Sequence, residues 1–217
     1  MLELHEFFLS PASHRVRIGL SLKGLAYRSI PVSLTQQGGE QLLADYRTVN
    51  PQGVLPTLTD NTFIVSQSLA ILEYLDDIKP DPPFLPSEPE RRARARQFSQ
   101  MIVSDIQSMT NLRVLSYLRK TLKTSRDQRS LWFRHWFLEG LDALELWLTS
   151  EGERYRYSLS DQITLADICL VPLMHSARRF KLPLDDFPRL CEIEAACLVL
   201  DAFQQGQPDQ QVGSESA

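Results

Sequence analysis

A proline-rich stretch constrains the fold of this chain more than any other feature. Residues 79–90 contain five of the thirteen prolines in the 217-residue sequence. Proline lacks a backbone N–H and interrupts helices and sheets, so the stretch is typical of a linker. A chain of this length has room for two domains with separate cores. We therefore predict a first domain over 1–80, a linker over 81–90 and a second domain over 91–203.

The first part of the chain alternates strand and helix signals. The first three signals are a strand-like run from Leu2 to Phe8, a helix that ends at Gly24, and a strand from Tyr27 to Leu34 with Pro31 at an edge or bulge. A short helix from Glu40 to Tyr46 follows, and then two strands between Val54 and Val65 that turn at Asp60-Asn61. The last signal is a helix through Leu69 to Leu75 that is capped by Ser66 or Ser68. This order, β-α-β-α-β-β-α, opens with a βαβ unit and predicts an α/β first domain.

Strand signals nearly vanish after the proline-rich stretch. Apolar residues recur there every three or four positions, which is the spacing of an amphipathic helix. The clearest sets are Phe98, Ile102, Ile106 and Met109, and then Phe133, Phe137, Leu141, Leu144 and Leu148. The second part is therefore predicted to be all helical, with the arginine-rich run 91–96 as the solvated start of its first helix.

A helix-start signal lies late in the helical part. Thr164 is a favoured N-cap residue, and Asp167 follows three positions later, where its carboxylate reaches back to the N-cap backbone N–H. Ile163 and Ile168 flank this capping box as an apolar pair. We predict that a helix starts at this box.

Composition narrows the class of protein. The formal net charge is -4, which predicts no broad basic surface for nucleic acid. No window approaches the roughly 20 apolar residues of a membrane span, and the first residues lack a signal-peptide pattern, so we predict a cytoplasmic protein with no membrane partner. The cysteines, Cys169, Cys191 and Cys197, lack metal-ligand spacing and are predicted to be reduced thiols without a metal. Residues 204–217 are poor in apolar side chains and are predicted to be a mobile tail.

The stretch from Phe8 to Leu20 predicts an anion site. A strand-like run breaks at Ser10-Pro11 and a helix begins, so unpaired backbone N–H groups and the positive end of the helix dipole lie beside the hydroxyls of Ser10 and Ser13. A thiolate fits such a site, and because the first 80 residues contain no cysteine, the thiol must belong to a ligand. The alternative is structural, with Ser13 as an N-cap and Pro11 as a turn residue.

Four segments carry a family resemblance through their order and separations. They are Ser10-x-x-Ser13-x-Arg15-Val-Arg17-Ile, Asn50-Pro-Gln-Gly-Val-Leu-Pro-Thr-Leu58, Gln67-Ser-Leu-Ala-Ile-Leu-Glu-Tyr-Leu75 and Ala177-Arg-Arg-Phe180. Residues 2–203 as a whole resemble a cytosolic glutathione transferase, and the four segments resemble its zeta class, which includes maleylacetoacetate and maleylpyruvate isomerases. The resemblance implies an α/β thioredoxin-like N-terminal domain that binds glutathione and an all-α C-terminal helical domain that binds substrate.

The resemblance also implies the residues of the glutathione site. The Ser10 hydroxyl donates to the glutathione sulfur and favours its thiolate form. The Leu55–Pro56 bond is expected to be cis, with the Leu55 backbone paired to the cysteinyl part of glutathione. Gln67 and Ser68 are expected to receive the γ-glutamyl carboxylate at a helix start. The alternatives are an edge-strand proline for Pro56 and helix capping alone for the Gln67-Ser68 pair.

This chain departs from the family pattern at several positions. Pro11 and Ala12 stand where the family has its second Ser and a Cys, so no role of that Cys is carried over. His14 replaces the commoner Trp and is assigned to glutathione or substrate, with a surface histidine as the alternative. Asn111 matches a family Asn that faces the cleft between the domains, and Thr110 replaces its usual Gln neighbour. Both are assigned to glutathione binding.

Two arginines match family arginines and suit an acidic substrate. Arginine binds carboxylates through two N–H groups and stabilises a developing oxyanion. The resemblance therefore assigns Arg179 to a substrate carboxylate and Arg15 to catalysis near the sulfur. The alternative for each is a solvated or salt-bridged arginine.

The implied function is glutathione-dependent cis–trans isomerisation of maleylacetoacetate or maleylpyruvate, in the catabolism of aromatic compounds or amino acids. The thiolate adds to the conjugated double bond, the former double bond rotates, and the sulfur leaves without a net bond to glutathione. Two alternatives stay open. One is a general glutathione transferase or dehalogenase that acts on small electrophiles, and the other is a non-catalytic binding protein of the same fold. The resemblance also implies a homodimer.

Overall fold

The computed structural model describes residues 1–150 and 154–211, which divide into two units. The first unit comprises Met1–Phe84 and the described part of Leu198–Ala217, and the second comprises Leu85–Cys197. The predicted end of the helical domain at residue 203 is therefore wrong. The physical reason is that the Phe203 side chain is fully buried and residues 198–211 pack with the first unit.

A four-stranded sheet forms the centre of the first unit, with strand order β2-β1-β3-β4. The strands are β1 Leu2–Glu6, β2 Tyr27–Pro31, β3 Thr57–Asp60 and β4 Phe63–Ser66. The helices are α1 Pro11–Leu22 after β1, α2 Ala44–Val49 before β3 and α3 Ser68–Ile78 after β4. β1 pairs parallel with β2 and antiparallel with β3. β3 and β4 form the predicted hairpin, in which Asn61 has φ 54°. The predicted order of strands and helices is confirmed.

Two details of the first unit differ from the prediction. The helix expected over residues 40–46 is instead a 3-10 turn, Glu40–Leu42, followed by α2, because Leu43 between them has an extended backbone. β2 ends at Pro31 on the edge of the sheet, as expected for a residue without an N–H donor, rather than continuing to Leu34.

The core of the first unit brings α1 and α3 very close together. Leu4 and Leu58 of the sheet and Ile71 and Leu72 of α3 are fully buried. A Cβ atom on Gly19 of α1 would lie 2.2 Å from Cδ2 of Leu72, so only glycine allows this approach. The close contact fixes the spacing of the two helices.

The described part of the second unit contains helices and no strand, which confirms the all-helical prediction. Its elements are α4 Pro89–Gln100, a π-helical turn Met101–Ile106, α5 Gln107–Thr110, α6 Leu112–Lys120, α7 Arg126–Ser150, α8 Leu165–Arg179 and α9 Pro188–Leu198, of which the last residue belongs to the first unit. The backbone N–H of Thr164 donates to Oδ2 of Asp167 at 2.8 Å, so α8 starts at the predicted capping box.

The predicted mobile tail is wrong for residues 204–211. α10, Asp201–Gln205, and a 3-10 turn, Pro208–Gln210, follow α9 and pack with the first unit. The Ser21 hydroxyl donates to Oε1 of Gln205 at 2.8 Å. Residues 212–217 lie outside the described residues. Among the helices of the described ranges, none is long and apolar enough to cross a membrane.

Candidate active site

The turn between β1 and α1 places Ser10 at the start of the helix. The Ser10 N–H donates to the Phe7 carbonyl at 2.9 Å, and the Phe7 N–H donates to Oγ of Ser13 at 3.4 Å. α1 begins at Pro11, which suits the first helical position because no N–H is needed there. Ser10 is therefore the N-cap, and its Oγ accepts from the Ser13 N–H at 3.3 Å. The alternative that made Ser13 the cap is wrong.

The Ser10 hydroxyl retains its capacity to donate a hydrogen bond. A hydroxyl has one O–H donor and two lone pairs, and the Ser13 N–H uses one lone pair. Within the described residues no acceptor engages the Ser10 O–H, although the residue is only 9% exposed. A hydroxyl that accepts one bond is polarised and donates more strongly. Ser10 is therefore suited to hydrogen-bond an anion at the positive end of α1.

The predicted cis bond occurs in the loop before β3. The Leu55–Pro56 peptide is cis and Pro56 is buried. Asn50 holds this loop, because its Nδ2 donates to the Val54 carbonyl at 2.9 Å and to Oγ1 of Thr57 at 3.2 Å. The edge-strand alternative for Pro56 is wrong, since β3 lies between β1 and β4. Pairing of the Leu55 backbone with a ligand stays a prediction.

The N-terminus of α3 contains Gln67 and Ser68, the second pair of predicted site residues. Gln67 is the N-cap residue, with φ 73° and no capping bond from its side chain, and its Nε2 donates to Oε1 of Gln52 at 2.8 Å. The prediction that Ser66 or Ser68 caps this helix is wrong. Ser68 is the first helical residue, and its Oγ accepts from Nε of Arg15 at 3.0 Å.

Arg15 contributes a positive charge to the start of α3. The side chain is 2% exposed and reaches from α1 to Ser68, so the solvated-arginine alternative is wrong. A guanidinium beside the first N–H groups of α3 favours a carboxylate at that place. The catalytic role of Arg15 near the sulfur stays a prediction. His14 is 1% exposed, which excludes a surface histidine, and its assignment to glutathione or substrate also stays a prediction.

Thr110 and Asn111, in the second unit, have structural bonds of their own. Oγ1 of Thr110 donates to the Ile106 carbonyl at 2.8 Å. Asn111 is the N-cap of α6, because its Oδ1 accepts from the Val114 N–H at 2.9 Å, and its Nδ2 donates to the Ser108 carbonyl at 2.8 Å. Sequence reasoning missed this capping role. Their assignment to glutathione binding stays a prediction.

Arg179 ends α8 and is exposed. Its guanidinium lies 5.3 Å from the centroid of the Phe180 ring, and no ion pair joins it to an acidic residue in the described part of the chain. The neighbouring Arg178 differs, because its Nη2 and Nε bond to the buried carboxylate of Glu194. The salt-bridged alternative for Arg179 is therefore wrong, while its assignment to a substrate carboxylate stays a prediction and the solvated alternative stays open.

The burial of three polar residues was not recognised from the sequence. Gln41 is buried, and its Oε1 has no hydrogen-bond partner in the described residues. Glu6 and Arg17 form an ion pair of 2.6 Å in which both side chains are almost fully buried. Glu6 was detectable, since it shares the inward face of β1 with Leu2 and Leu4 at a period of two.

Comparison with known proteins gives the class. Two family models match the chain, one for the N-terminal domain of glutathione S-transferases at residues 9–78 and one for their C-terminal domain at residues 138–193. The fold agrees with these matches. The fold is thus that of the glutathione S-transferases, a thioredoxin-like domain followed by a helical domain.

Individual relatives resolve the class further. A maleylpyruvate isomerase of a Ralstonia species is 39% identical, covering 98% of this chain and 100% of its own. A solved maleylpyruvate isomerase, described as a zeta-class bacterial glutathione S-transferase, superimposes with a TM-score of 0.93 at 38% identity, covering 97% and 99%. A maleylacetoacetate isomerase of Methylobacterium extorquens AM1, solved with malonate and glutathione, gives 0.93 at 34% identity, covering 97% and 98%. The chain belongs to the zeta class of the glutathione S-transferase family.

Proposed function

We propose that the protein is a glutathione-dependent cis–trans isomerase of maleylacetoacetate or maleylpyruvate. The observation that carries the proposal is the pair of helix starts in the first unit. α1 begins with a capped hydroxyl, Ser10, and α3 begins with the buried Arg15–Ser68 pair. Both starts favour negative charge. The isomerase names of full-length relatives support the reaction.

The described residues of the first unit fit glutathione. The carboxylate of its γ-glutamyl residue is matched by the first N–H groups of α3 together with the guanidinium of Arg15. Its peptide backbone is matched by the Leu55 main chain, and its thiol by the hydroxyl of Ser10. When bound, glutathione supplies a thiolate that adds reversibly to a conjugated double bond.

Ser10 favours the thiolate in this proposal. A free thiol has a pKa of about 8.5, and a hydrogen bond to the anion together with a helix N-terminus lowers it. The Ser13 N–H holds the Ser10 oxygen in place while the O–H donates. Ser10 is therefore an activator and not a nucleophile.

Arg179 binds a carboxylate of the substrate in this proposal. Maleyl acids carry carboxylates, and their isomerisation develops oxyanion character that a guanidinium stabilises. Arg179 is exposed and stacks on Phe180, which lies against Phe133 with ring centroids 4.4 Å apart. The stacking limits the motion of the guanidinium without using its hydrogen-bond donors.

We also propose that the protein is a cytoplasmic homodimer. Phe63 and Ile64 of the edge strand β4 are 48% and 47% exposed, and Phe63 stacks against Tyr74 of α3. Large apolar side chains on an open strand edge are usually covered by a partner. Sedimentation of the Phe63→Ser protein tests this, and a shift to the monomer is the expected result.

The test of function is the absorbance of each maleyl acid over time, with and without glutathione. Conversion that requires glutathione and consumes none of it is expected. Ser10→Ala is expected to lower kcat about 10²–10³-fold, the usual loss for one stabilising donor. Ser125→Ala is the control, because Ser125 Oγ accepts from the Gln128 N–H at 3.2 Å at the start of α7 in the second unit. If glutathione binds and neither acid reacts, the transferase alternative replaces the isomerase.

A further inference from the structure

Arg17 lies at the junction of three segments of the first unit. Its side chain is 1% exposed. Its Nη1 donates to Oε2 of Glu6 at 2.6 Å, its Nη2 donates to the Phe8 carbonyl at 3.0 Å, and its Nε donates to the Gly206 carbonyl at 2.9 Å. One guanidinium thus connects the end of β1, the turn before α1 and the C-terminal segment 201–211.

Glu6 fixes one side of this junction to the sheet. Its Oε1 accepts from the Ser29 hydroxyl of β2 at 2.7 Å, while Oε2 accepts from Arg17. Because the guanidinium is planar and rigid, holding one edge of it on Glu6 determines where its other N–H groups point. The orientation of Arg17 is therefore set by the sheet and by the C-terminal segment together.

The turn that Arg17 holds is the turn that ends in Ser10. Phe8 is a central residue of this turn, which the Ser10 N–H closes on the Phe7 carbonyl. The Phe7 N–H bond to Ser13 is long, at 3.4 Å, so the bond from Arg17 to Phe8 is the stronger external tie. We propose that Arg17 is a positioning residue for Ser10, and that the C-terminal segment sets its orientation through the Gly206 carbonyl. The proposal rests on the proposed glutathione site.

The C-terminal segment lies too close to α1 to shift freely. A Cβ atom on Gly206 would lie 2.7 Å from Cγ1 of Ile18 and 3.3 Å from its backbone nitrogen. Gly206 has an ordinary φ of -72°, so alanine there introduces a steric contact without backbone strain. Gly206→Ala therefore displaces the carbonyl and leaves the Arg17–Glu6 pair in place.

The experiment measures the pKa of the glutathione thiol in the complex, from thiolate absorbance against pH. Arg17→Lys keeps the charge beside Glu6 but loses the fork that reaches Phe8 and Gly206. We expect this variant to raise the bound thiol pKa by about one unit, and Gly206→Ala to raise it by less. Binding of S-methylglutathione, which has no thiol, is expected to stay unchanged.

The control is Lys23→Met, which removes another buried cation, at the C-cap of the same helix. Lys23 pairs with Asp76 at 2.7 Å and also donates to the Pro82 carbonyl. It is expected to lower stability and leave the thiol pKa unchanged. If Arg17→Lys does not fold, the thiol pKa measured in Gly206→Ala tests the proposal instead. The inference is overturned if the bound thiol has the wild-type pKa in both Arg17→Lys and Gly206→Ala. It is also overturned if Lys23→Met shifts that pKa as much as these variants do. A wild-type protein that does not lower the thiol pKa overturns the glutathione site as well.

Discussion

Replacing Asp167 with Asn removes an acceptor from the box that starts α8. The carboxylate is fully buried. Its Oδ1 accepts from the Ser158 N–H at 2.8 Å, and its Oδ2 accepts from the N–H and the hydroxyl of Thr164 at 2.8 and 3.1 Å. Asparagine has the same shape, but one of its two ends is an NH₂ donor. Whichever way the amide turns, one buried backbone N–H faces a donor.

The expected loss follows from these contacts. An unsatisfied buried donor costs about 1–3 kcal/mol, and losing a negative charge near a helix N-terminus costs about 0.3–1 kcal/mol. Burial raises the pKa of Asp167, because desolvation disfavours its charged form, and the amide of asparagine does not carry that desolvation cost. The net loss is therefore about 1–3 kcal/mol of unfolding free energy. For a chain of this size that lowers Tm by about 2–12 °C.

Thermal unfolding followed by circular dichroism at neutral pH measures this loss. Asp161→Asn is the matched control, because Asp161 is exposed and accepts one bond, from the Arg156 N–H at 2.9 Å. Surface substitutions of this kind stay within about 0.5 kcal/mol. Equal Tm values for Asp167→Asn and the wild type, or equal shifts in the two variants, would refute the reasoning.

Three further outcomes are expected. Gly140→Ala places a Cβ atom 2.2 Å from Cγ1 of Ile106, which should cost about 1–3 kcal/mol in urea unfolding. Ile106→Ala should relieve that contact in a double-mutant cycle, and strict additivity would contradict it. Burial raises the pKa of Tyr27 to about 12 from 10.0. Because the unfolded chain then loses the phenol proton at a lower pH than the folded protein, wild-type stability should fall relative to Tyr27→Phe as the pH rises from 10 to about 12. Urea unfolding of both proteins at each pH measures this difference. Ser68→Ala removes the acceptor of Nε of Arg15. Because a hydrogen bond to a charged group is lost, glutathione binding measured by calorimetry should weaken about tenfold. An unchanged affinity would contradict a role of the Arg15–Ser68 pair in binding.

The order of strands and helices was predictable because it depends on local patterns. Alternation, helical spacing and the Asp60-Asn61 turn are properties of neighbouring residues, and the sheet and hairpin follow them. The C-terminal segment was not predictable in this way. Residues 204–211 have little apolar content, and the groups that hold them, such as Arg17, lie 189 residues earlier in the chain.

The site was predictable where the rule was local. Proline favours the first helical position, so Pro11 alone points to Ser10 rather than Ser13 as the cap. The bond from Arg15 to Ser68 joins residues 53 positions apart, and no spacing rule reaches that far. The match to a family arginine singled out Arg15 from the sequence, but its partner Ser68 became apparent only from the fold.

The geometry of α1 explains how one short helix contributes to two parts of the proposed glutathione site. Residues two positions apart on a helix are separated by about 200° around its axis, so the side chains of Arg15 and Arg17 extend from nearly opposite sides of α1. Arg15 reaches the start of α3, and Arg17 reaches β1 and the C-terminal segment. Gly19 allows α3 to approach α1 closely, since a Cβ atom there would lie 2.2 Å from Cδ2 of Leu72. The proposed glutathione site therefore depends on this one helix at two places, the turn that ends in Ser10 and the start of α3.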